Sequence, residues 1–278
     1  MFNGCAYLEC TDCQYSELLA FSCKQRTLCP SCSAKRALTF SENLIDNVLE
    51  DVPHAHVVFT VPKRLRPYFK FNRNLNKHLY TASWQTVQEW SEDEHPECKP
   101  AMVASLHTAG DLLNWHPHVH SLLALGSFDL NGDFKPFENI NTDWLTTVFA
   151  RNLFELLAND NTHGEPCIEP EVIENLRQWQ NRGFNVWIGE PVESDDTEHL
   201  KFLARYLRKS AVIAPKLKYI ESSNKVRINK KYDGKNVVKD FSPLEFLAEV
   251  AQHIPETFEQ MVRSVSYTHL TLPTICSV

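Results

Sequence analysis

Apolar residues recur along the chain with two periods, one typical of strands and the other typical of helices. Short apolar runs at residues 54–62, 101–110 and 116–128 predict three strands. The four residues DLLN lie between the second and third runs, which predicts an antiparallel pair joined by a short turn. A further strand is predicted at residues 184–191, and a hairpin at residues 217–232.

Helical spacing of apolar residues recurs between these strands. One segment carries acids in its first turn and bases in its last, which complements the helix dipole. Ser242 and Pro243 are typical of a helix start. Helices are predicted at residues 37–52, around 75–87, and at 142–158, 170–183, 195–212 and 242–255. This order of elements predicts an α+β fold, an antiparallel sheet flanked by helices.

The composition is that of a globular chain with a sizeable core, since 43% of the 278 residues are hydrophobic and 23% are charged. No apolar run reaches the length of about 18 residues that a membrane span needs. The start of the chain lacks the basic and apolar regions of a secretory signal. We therefore expect a cytoplasmic protein with reduced thiols and no membrane partner.

Charge is segregated along the chain although the net charge is −7. Residues 63–77 hold six Lys and Arg and no acid, and residues 199–240 hold twelve Lys and Arg against three acids. Residues 155–198 carry eleven acids against two Arg. If the basic segments meet in the fold, they form an anion-binding face; if they do not, they are ordinary solvated surfaces.

Four of the nine cysteines form two pairs, each with two residues between its members. Fifteen residues separate Cys10-x-x-Cys13 from Cys29-x-x-Cys32, which is the spacing of a structural zinc site. Cys23 is an alternative ligand. The sequence therefore predicts a small Zn²⁺-binding module at residues 1–40.

Histidines at every second position of a predicted strand indicate a second metal site. His118 and His120 point to one face of the strand, as does His116, although Pro117 marks where the strand begins. An antiparallel neighbour would bring His107 beside them as a third ligand. A second His-x-His pair, His54 and His56, lies on another predicted strand, and spacing alone does not separate the two pairs. The three histidines of HPHVH and the extra candidate favour the first site.

A tyrosine lies at the boundary of the predicted helix over residues 195–212. On a helical wheel Leu200, Leu203, Leu207 and Ala211 share the core side, whereas Lys201, Arg205, Arg208 and Lys209 share the opposite side. Tyr206 falls between the two groups. A phenol held there by packing can attack a phosphate that the cations attract, or it can simply pack.

Five segments, in order, closely resemble transposases of the insertion-sequence-91 (IS91) family. They are AFSCKQRTLCPSCSAKRA, VVFTVPKRLR, NWHPHVH, FLARYLRKSAV and EFLAEVAQHIP, and the resemblance covers roughly residues 5–263. Members of this bacterial family are single-strand DNA endonucleases of the HUH (His-hydrophobic-His) type with an N-terminal zinc-binding domain. The resemblance therefore implies a mobile-element protein with a zinc-ribbon-like module followed by an HUH-type sheet.

The resemblance also implies a chemistry for these residues. His118 and His120 would form the HUH motif and bind Mg²⁺ or Mn²⁺. Tyr206 would attack single-stranded DNA at the element ends, leaving a 5′-phosphotyrosine, and rolling-circle transposition would follow. Family members often carry a second tyrosine four residues earlier, where this chain has Phe202. Basic residues expected to contact DNA are Arg205, Arg208, Lys209, Lys63, Arg64 and Arg66.

The domain boundaries expected from the sequence are residues 1–40 for the zinc module and 41–263 for the catalytic domain. Residues 264–278 depart from the family and resemble a non-native tail. Three other functions stay open on the sequence. They are a replication initiator or relaxase with the same core, a non-catalytic zinc-ribbon DNA-binding protein, and a metal-dependent hydrolase that would use Asp111. The oligomeric state is not predicted.

Overall fold

A computed structural model describes residues 4–21, 28–160, 167–179, 183–212, 216–232, 235–257 and 259–265. The strands are β1 (Cys5–Glu9), β2 (Ser16–Ala20), β3 (His54–Thr60), β4 (Lys99–Ala109), β5 (Trp115–Phe128), β6 (Phe134–Pro136), β7 (Asn185–Ile188), β8 (Leu217–Ile220), β9 (Lys225–Tyr232), β10 (Lys235–Phe241) and β11 (Val262–Val265). The helices are α1 (Pro30–Asn47), α2 (Arg66–Phe71), α3 (Asn76–Glu94), α4 (Thr142–Ala158), α5 (Pro170–Gln178), α6 (Thr197–Leu207) and α7 (Pro243–Ala251). Among these helices none is both long and apolar enough to cross a membrane.

The centre of the fold is an antiparallel sheet with the strand order β11-β4-β5-β3-β7, and β6 extends it by pairing with one end of β5. The predicted antiparallel pair of β4 and β5 is confirmed. The last strand, β11, pairs with β4 and runs to Val265. This architecture confirms the α+β prediction of an antiparallel sheet flanked by helices.

Each face of the sheet is covered by its own layer of helices, because successive side chains of a strand point to opposite faces. On one face Phe59 and Val119 pack with α3, α4 and α5 in the main core. On the other face Leu122 packs with Leu44 of α1 and Leu203 of α6. His118 and His120 share this second face, because they lie four and two residues before Leu122 on the same strand.

A smaller sheet, β10-β9-β8, packs with α7 next to the turn between β4 and β5. Ile228 and Phe241 of this sheet form a cluster with Leu113 of the turn. The sequence predicted β8 and β9 as a hairpin, which is confirmed, but it did not predict β10. Ser242 caps α7 through a capping box with Glu245, as the sequence suggested.

The N-terminal module is a hairpin followed by a helix. Cys10 and Cys13 lie in the turn between β1 and β2, where the Gln14 N–H donates to the Cys10 carbonyl oxygen at 2.9 Å. Cys29 is the N-cap of α1 and Cys32 lies in its first turn. The first cysteine pair therefore lies in a hairpin turn, and the second lies at the start of a helix. Cys23 lies outside the described residues.

Several helices have different bounds from those predicted, and the reasons are clearest for three of them. Helix α1 begins at Pro30 instead of residue 37, because proline is well suited to the first helical position. Helix α5 ends at Gln178 instead of residue 183, since the backbone of Trp179 is extended. Helix α6 spans Thr197–Leu207 instead of residues 195–212, because Asp196 caps its start and Arg208 leaves helical geometry.

Candidate metal and nucleophile site

Three imidazoles converge on the face of the sheet that α6 covers. The pairing of β4 with β5 sets His107 directly opposite His118, and His120 follows two residues later on the same face. One ligand nitrogen from each of these three rings lies within 4.8 Å of the other two. The expectation that His107 lies beside the pair is therefore confirmed, and the cluster can hold a metal ion.

The other ring nitrogen of each histidine has its own hydrogen-bond partner. His118 donates from Nδ1 to the His116 carbonyl oxygen at 2.6 Å, and His107 donates from Nε2 to the Leu207 carbonyl oxygen at 3.1 Å. His120 Nδ1 lies 2.8 Å from Nε2 of His56. Because a carbonyl only accepts, these contacts fix the tautomers of His107 and His118 and leave one lone pair on each ring for a metal.

Burial keeps these imidazoles neutral. Desolvation, followed by repulsion from the protonated form of His118, lowers the pKa of His107 to about 3. The pKa values of His118 and His120 are also lowered, and burial is the largest cause for both. At physiological pH each neutral ring has one nitrogen without a proton, and metal binding requires the lone pair of that nitrogen.

Tyr206 lies against the same cluster. Its ring centroid is 5.1 Å from that of His120, 5.4 Å from that of His56 and 6.0 Å from that of His107. Leu203 and Leu207 of α6 are buried, whereas Tyr206 is half-buried. The position at the helix boundary that the wheel predicted is therefore the position in the fold.

His56 lies in the site, although on the sequence His54 and His56 were an alternative to the HPHVH stretch as metal ligands. The ring of His56 stacks on that of His120 with centroids 5.0 Å apart. His54 is fully buried and its Nδ1 donates to the Val52 carbonyl oxygen at 2.7 Å. The strand register explains the difference. His56 pairs with Leu122, two residues from His120, whereas His54 pairs with Ala124, which is farther from the site.

The predicted cations take different positions around this cluster. Lys209 lies over the Tyr206 ring, with its Nζ 4.5 Å from the centroid and 3.4 Å from the phenol oxygen. Arg66 and Lys63 lie close enough to His116 to lower its pKa, after the larger effect of burial. All three surround the imidazoles with positive charge.

Two predicted DNA contacts are engaged elsewhere. Arg208 stacks over Phe40 of α1 at 5.1 Å, so it lies on the packed side of α6 and not on the exposed side that the wheel gave. Arg64 donates to the Asn175 Oδ1 at 3.0 Å and lies over Trp179, next to α5. Arg205 is half-buried near the end of α6.

His116 and Asp111 lie beside the triad without joining it. The His116 ring is 4.9 Å from that of His118, and its Nε2 is buried with no hydrogen-bond partner in the described part of the chain. Asp111 forms an ion pair with Lys230. Burial raises the pKa of Asp111, but the hydrogen bond and charge of Lys230 outweigh this and lower it overall. An ionised, paired Asp111 gives little support to the hydrolase alternative.

The four paired cysteines are not brought as close together as the histidines, since within the described ranges only the triad has its ligand atoms all within 4.8 Å of one another. Cys10 and Cys13 are exposed, and Cys32 is buried. Backbone N–H groups of Cys13 and Asp12 lower the pKa of the Cys10 thiol and so favour its thiolate.

Comparison with protein families gives two matches, which cover separate parts of the chain. Residues 2–61 match the model described as "Transposase zinc-binding domain" of IS91 elements. Residues 101–272, more than half of the chain, match the model described as "Putative transposase". The second range contains most of β4 and all of β5 and α6, which carry the triad and Tyr206.

Two curated relatives are similar over large parts of the chain. The transposase for insertion sequence element IS801 of Pseudomonas savastanoi pv. phaseolicola is 25% identical over 266 residues, which is 90% of this chain and 62% of the relative. The putative transposase y4qJ of Sinorhizobium fredii (strain NBRC 101917 / NGR234) is 29% identical over 154 residues, 53% of this chain and 38% of the relative.

The chain thus spans less than two thirds of the length of these relatives. No solved structure gives a significant match. The two family models and the IS801 relative agree with each other and with the α+β layout of the structure. The chain therefore belongs to the IS91 family of transposases.

Proposed function

We propose that this chain is the catalytic part of a rolling-circle DNA transposase that cleaves and rejoins single-stranded DNA through Tyr206. The observation that carries the proposal is the contact of the Tyr206 ring with the rings of His120 and His107, at 5.1 and 6.0 Å. A phenol next to three convergent imidazoles is the arrangement that metal-assisted attack on a phosphate requires.

The triad fits Mg²⁺ or Mn²⁺ bound at His107, His118 and His120. The rings of His107 and His118 each have one nitrogen held by a carbonyl oxygen and one lone pair left over, and His120 has the same when its Nδ1 donates to His56, so the ligands are oriented in advance. When bound, such an ion would polarise the phosphate and stabilise the negative charge that develops on it. Imidazole ligands by themselves suit Zn²⁺ as well, so the choice of metal is part of the proposal.

In the proposed cleavage, the phenol oxygen of Tyr206 attacks the phosphorus of the scissile phosphodiester. A bond forms between the phenol oxygen and phosphorus, the bond from phosphorus to the 3′ oxygen breaks, and the phenol proton passes to solvent. The 3′ oxygen leaves with a proton from solvent as a free 3′-OH. Rejoining is the reverse, with a 3′-OH attacking the 5′-phosphotyrosine and restoring the phenol.

Lys209 is placed to assist both directions. Its ammonium donates to the Tyr206 phenol oxygen at 3.4 Å, so it would stabilise negative charge on that oxygen during attack and departure. The same cation attracts the DNA phosphate to the nucleophile. Arg66 and Lys63 add positive charge near His116, and Arg66 also adds it near His118.

A single tyrosine constrains the order of events. Phe202, at the position of the second family tyrosine, is 56% exposed one helical turn before Tyr206 and has no hydroxyl to donate. Two simultaneous covalent links cannot form on one nucleophile. We therefore propose that Tyr206 serves each strand transfer in turn, with resolution of one phosphotyrosine before the next.

The cysteine module is proposed to bind one Zn²⁺ through Cys10, Cys13, Cys29 and Cys32. Each pair lies in a turn that presents two sulfurs, and the match of residues 2–61 to a zinc-binding domain supports this assignment. Closing the site would bring the β1–β2 turn to the start of α1. The ion would then fix a hairpin that has little core of its own.

The test is covalent capture of DNA. The chain is incubated with Mn²⁺ and labelled single-stranded oligonucleotides from the DNA that flanks its coding sequence. We expect an adduct that resists denaturation, carries the 5′ phosphate on Tyr206, and is absent in Tyr206→Phe. An adduct that persists in Tyr206→Phe would refute the nucleophile. DNA binding without cleavage under any metal would instead support the non-catalytic alternative.

A further inference from the structure

An exposed tryptophan lies next to the proposed nucleophile. Trp187 of the edge strand β7 is 50% exposed, whereas its neighbour Val186 is buried in the main core. Alternation along a half-buried strand places polar residues at the solvent positions. A large apolar ring at such a position exposes area that the fold does not need to expose.

The indole belongs to the face that carries the histidines. The registers of the sheet pair Val58 with both His120 and Trp187, so these three residues form one row across β5, β3 and β7. The indole ring and the His56 ring are nearly perpendicular with centroids 5.6 Å apart, and the centroids of the His56 and Tyr206 rings are 5.4 Å apart. One ring therefore separates the indole from the proposed nucleophile.

Contacts on one side hold the indole in place. A Cβ added to Gly189 would lie only 2.9 Å from the indole ring, so the absence of a side chain at Gly189 lets the ring lie against the backbone. The Gly189 N–H donates to the His56 carbonyl oxygen at 2.8 Å, which fixes this strand end to β3. A pre-positioned ring loses little conformational entropy when a planar ligand stacks on it.

We propose that the indole of Trp187 stacks on an unpaired base of single-stranded DNA, close to the phosphate that Tyr206 attacks. The inference rests on the proposed function and specifies where a base is held. An exposed indole and the face of a nucleobase are complementary planar surfaces. Bases of a duplex are already stacked on each other, so this contact would select unpaired strands.

The charges around Tyr206 agree with this occupant. Lys209 lies over the phenol ring, and Arg66 and Lys63 are close to the histidines, so the phosphates have cations to follow. Trp187 offers an apolar surface to the base of the same strand. Every nucleotide of a single strand carries both a phosphate and a planar base, so nucleic acid matches the cations and the indole at once, which is why we favour it over a segment of another protein copy.

The test separates base from backbone. Binding of a labelled thymidine homopolymer and of an abasic polymer of the same length is measured by fluorescence anisotropy, without metal so that no cleavage occurs. Trp187→Ala should bind the thymidine polymer about 5- to 150-fold more weakly than the native chain, since one stacked base contributes that much. Trp187→Phe should retain most of the affinity, and binding of the abasic polymer should not change.

Trp144→Ala is the matched control. Trp144 is 37% exposed on α4, in the helical layer on the other face of the sheet, and its loss should leave both affinities unchanged. Equal binding of the thymidine polymer by Trp187→Ala and the native chain would overturn the proposal. So would an equal loss for both polymers, which would indicate a general folding or charge effect or a different occupant.

A second measurement uses the unmodified chain. Photo-crosslinking of an oligonucleotide that contains 5-iodouracil should give a covalent peptide that includes Trp187, and crosslinks at other sites alone would refute the stacking contact. The adduct assay on Tyr206 is independent of this result. A Tyr206 adduct with no effect of Trp187 would reject only the stacking site, whereas a crosslink at Trp187 without any adduct would reject the proposed cleavage.

Discussion

His107 donates a hydrogen bond from Nε2 to the main-chain carbonyl oxygen of Leu207, 3.1 Å away. Leu207 is the last residue of α6, where helix carbonyls lack partners within the helix. The bond therefore ties the end of the nucleophile helix to the sheet and turns Nδ1 of His107 towards the other imidazoles. One side chain couples the position of Tyr206 to the geometry of the proposed metal site.

Replacement of His107 should separate these two roles. His107→Ala leaves the Leu207 carbonyl unpaired, and we expect a loss of about 1–3 kcal/mol in the free energy of unfolding. His107→Gln keeps a donor, so its stability should stay closer to native, while Mn²⁺ affinity should fall by more than the roughly 10- to 100-fold that loss of a ligand's hydrogen-bond partner costs. Urea unfolding and Mn²⁺ titration by electron paramagnetic resonance measure the two effects. His199→Ala, which removes an exposed histidine of α6, should change neither the stability nor the Mn²⁺ affinity.

The contact between His56 and His120 predicts a positioning role for His56. Its Nε2 lies 2.8 Å from His120 Nδ1 and so orients that ring. His56→Ala should lower Mn²⁺ affinity by about 10- to 100-fold, the usual cost of losing such a partner. In His56→Gln, whose amide can still pair with Nδ1, much of the affinity should return. Unchanged affinity in His56→Ala would show that His120 needs no partner.

Much of this site was predictable because it depends on local alternation. The apolar runs around His107 and His118 predict two strands, and the short turn between them predicts that the strands pair. Antiparallel pairing then places His107 opposite His118. Helical periodicity likewise gave Tyr206 its position at the boundary of α6. The position of Tyr206 on its helix depends on spacing within a few residues. The pairing of β4 with β5 depends on a turn too short to let the strands pair in any other way.

The unpredicted features depend on registers between distant strands. His54 and His56 have the same spacing as His118 and His120, and only the pairing of β3 with β5 places His56 beside His120. Trp187 joins the site through β7, which begins more than fifty residues after β5 ends. A strand as polar as β10 was missed because its pattern, KNVVKDF, has no clear apolar face. The sequence of one chain does not indicate which residues of two distant strands pair with each other.

Lys209 provides a test of the charge around Tyr206. Lys209→Met should slow adduct formation by about ten-fold, less than the 10²–10³ typical of a buried donor, because Lys209 is exposed and screened. The salt dependence of single-strand binding should weaken by about 0.7 in the log–log slope if one phosphate contact is lost. Lys201→Met on the same helix is the control, since Lys201 pairs with Glu198. Equal effects of both changes would argue against a specific role.

Removal of the proposed zinc should affect the N-terminal module alone. We expect about one Zn²⁺ per purified chain, and its loss in Cys13→Ser with a lower melting temperature of the module, because structural zinc contributes folding energy. Mn²⁺ affinity at the histidines should not change. Cys98→Ser, outside the paired cysteines, should keep its zinc. A native zinc content in Cys13→Ser would refute the ligand assignment.

Buried His54 makes the stability of the fold sensitive to mild acid. Burial lowers its pKa to about 4 from an ordinary value of 6.5, against a smaller opposite effect of its hydrogen bond to Val52. As pH falls below 6.5, the unfolded chain takes up a proton at this position while the folded chain does not. Stability is therefore lost between pH 6.5 and about 4, at a rate approaching 1.4 kcal/mol per pH unit for this one group.

The variant His54→Asn isolates this contribution, since its amide can still donate to the Val52 carbonyl oxygen but does not titrate. Urea unfolding of both chains across this range should show a pH dependence that is shallower in the variant by about one proton. Other buried histidines contribute equally to both curves and cancel in the difference. Parallel curves would mean that His54 is protonated in the folded state or already neutral in the unfolded one, and would contradict the prediction.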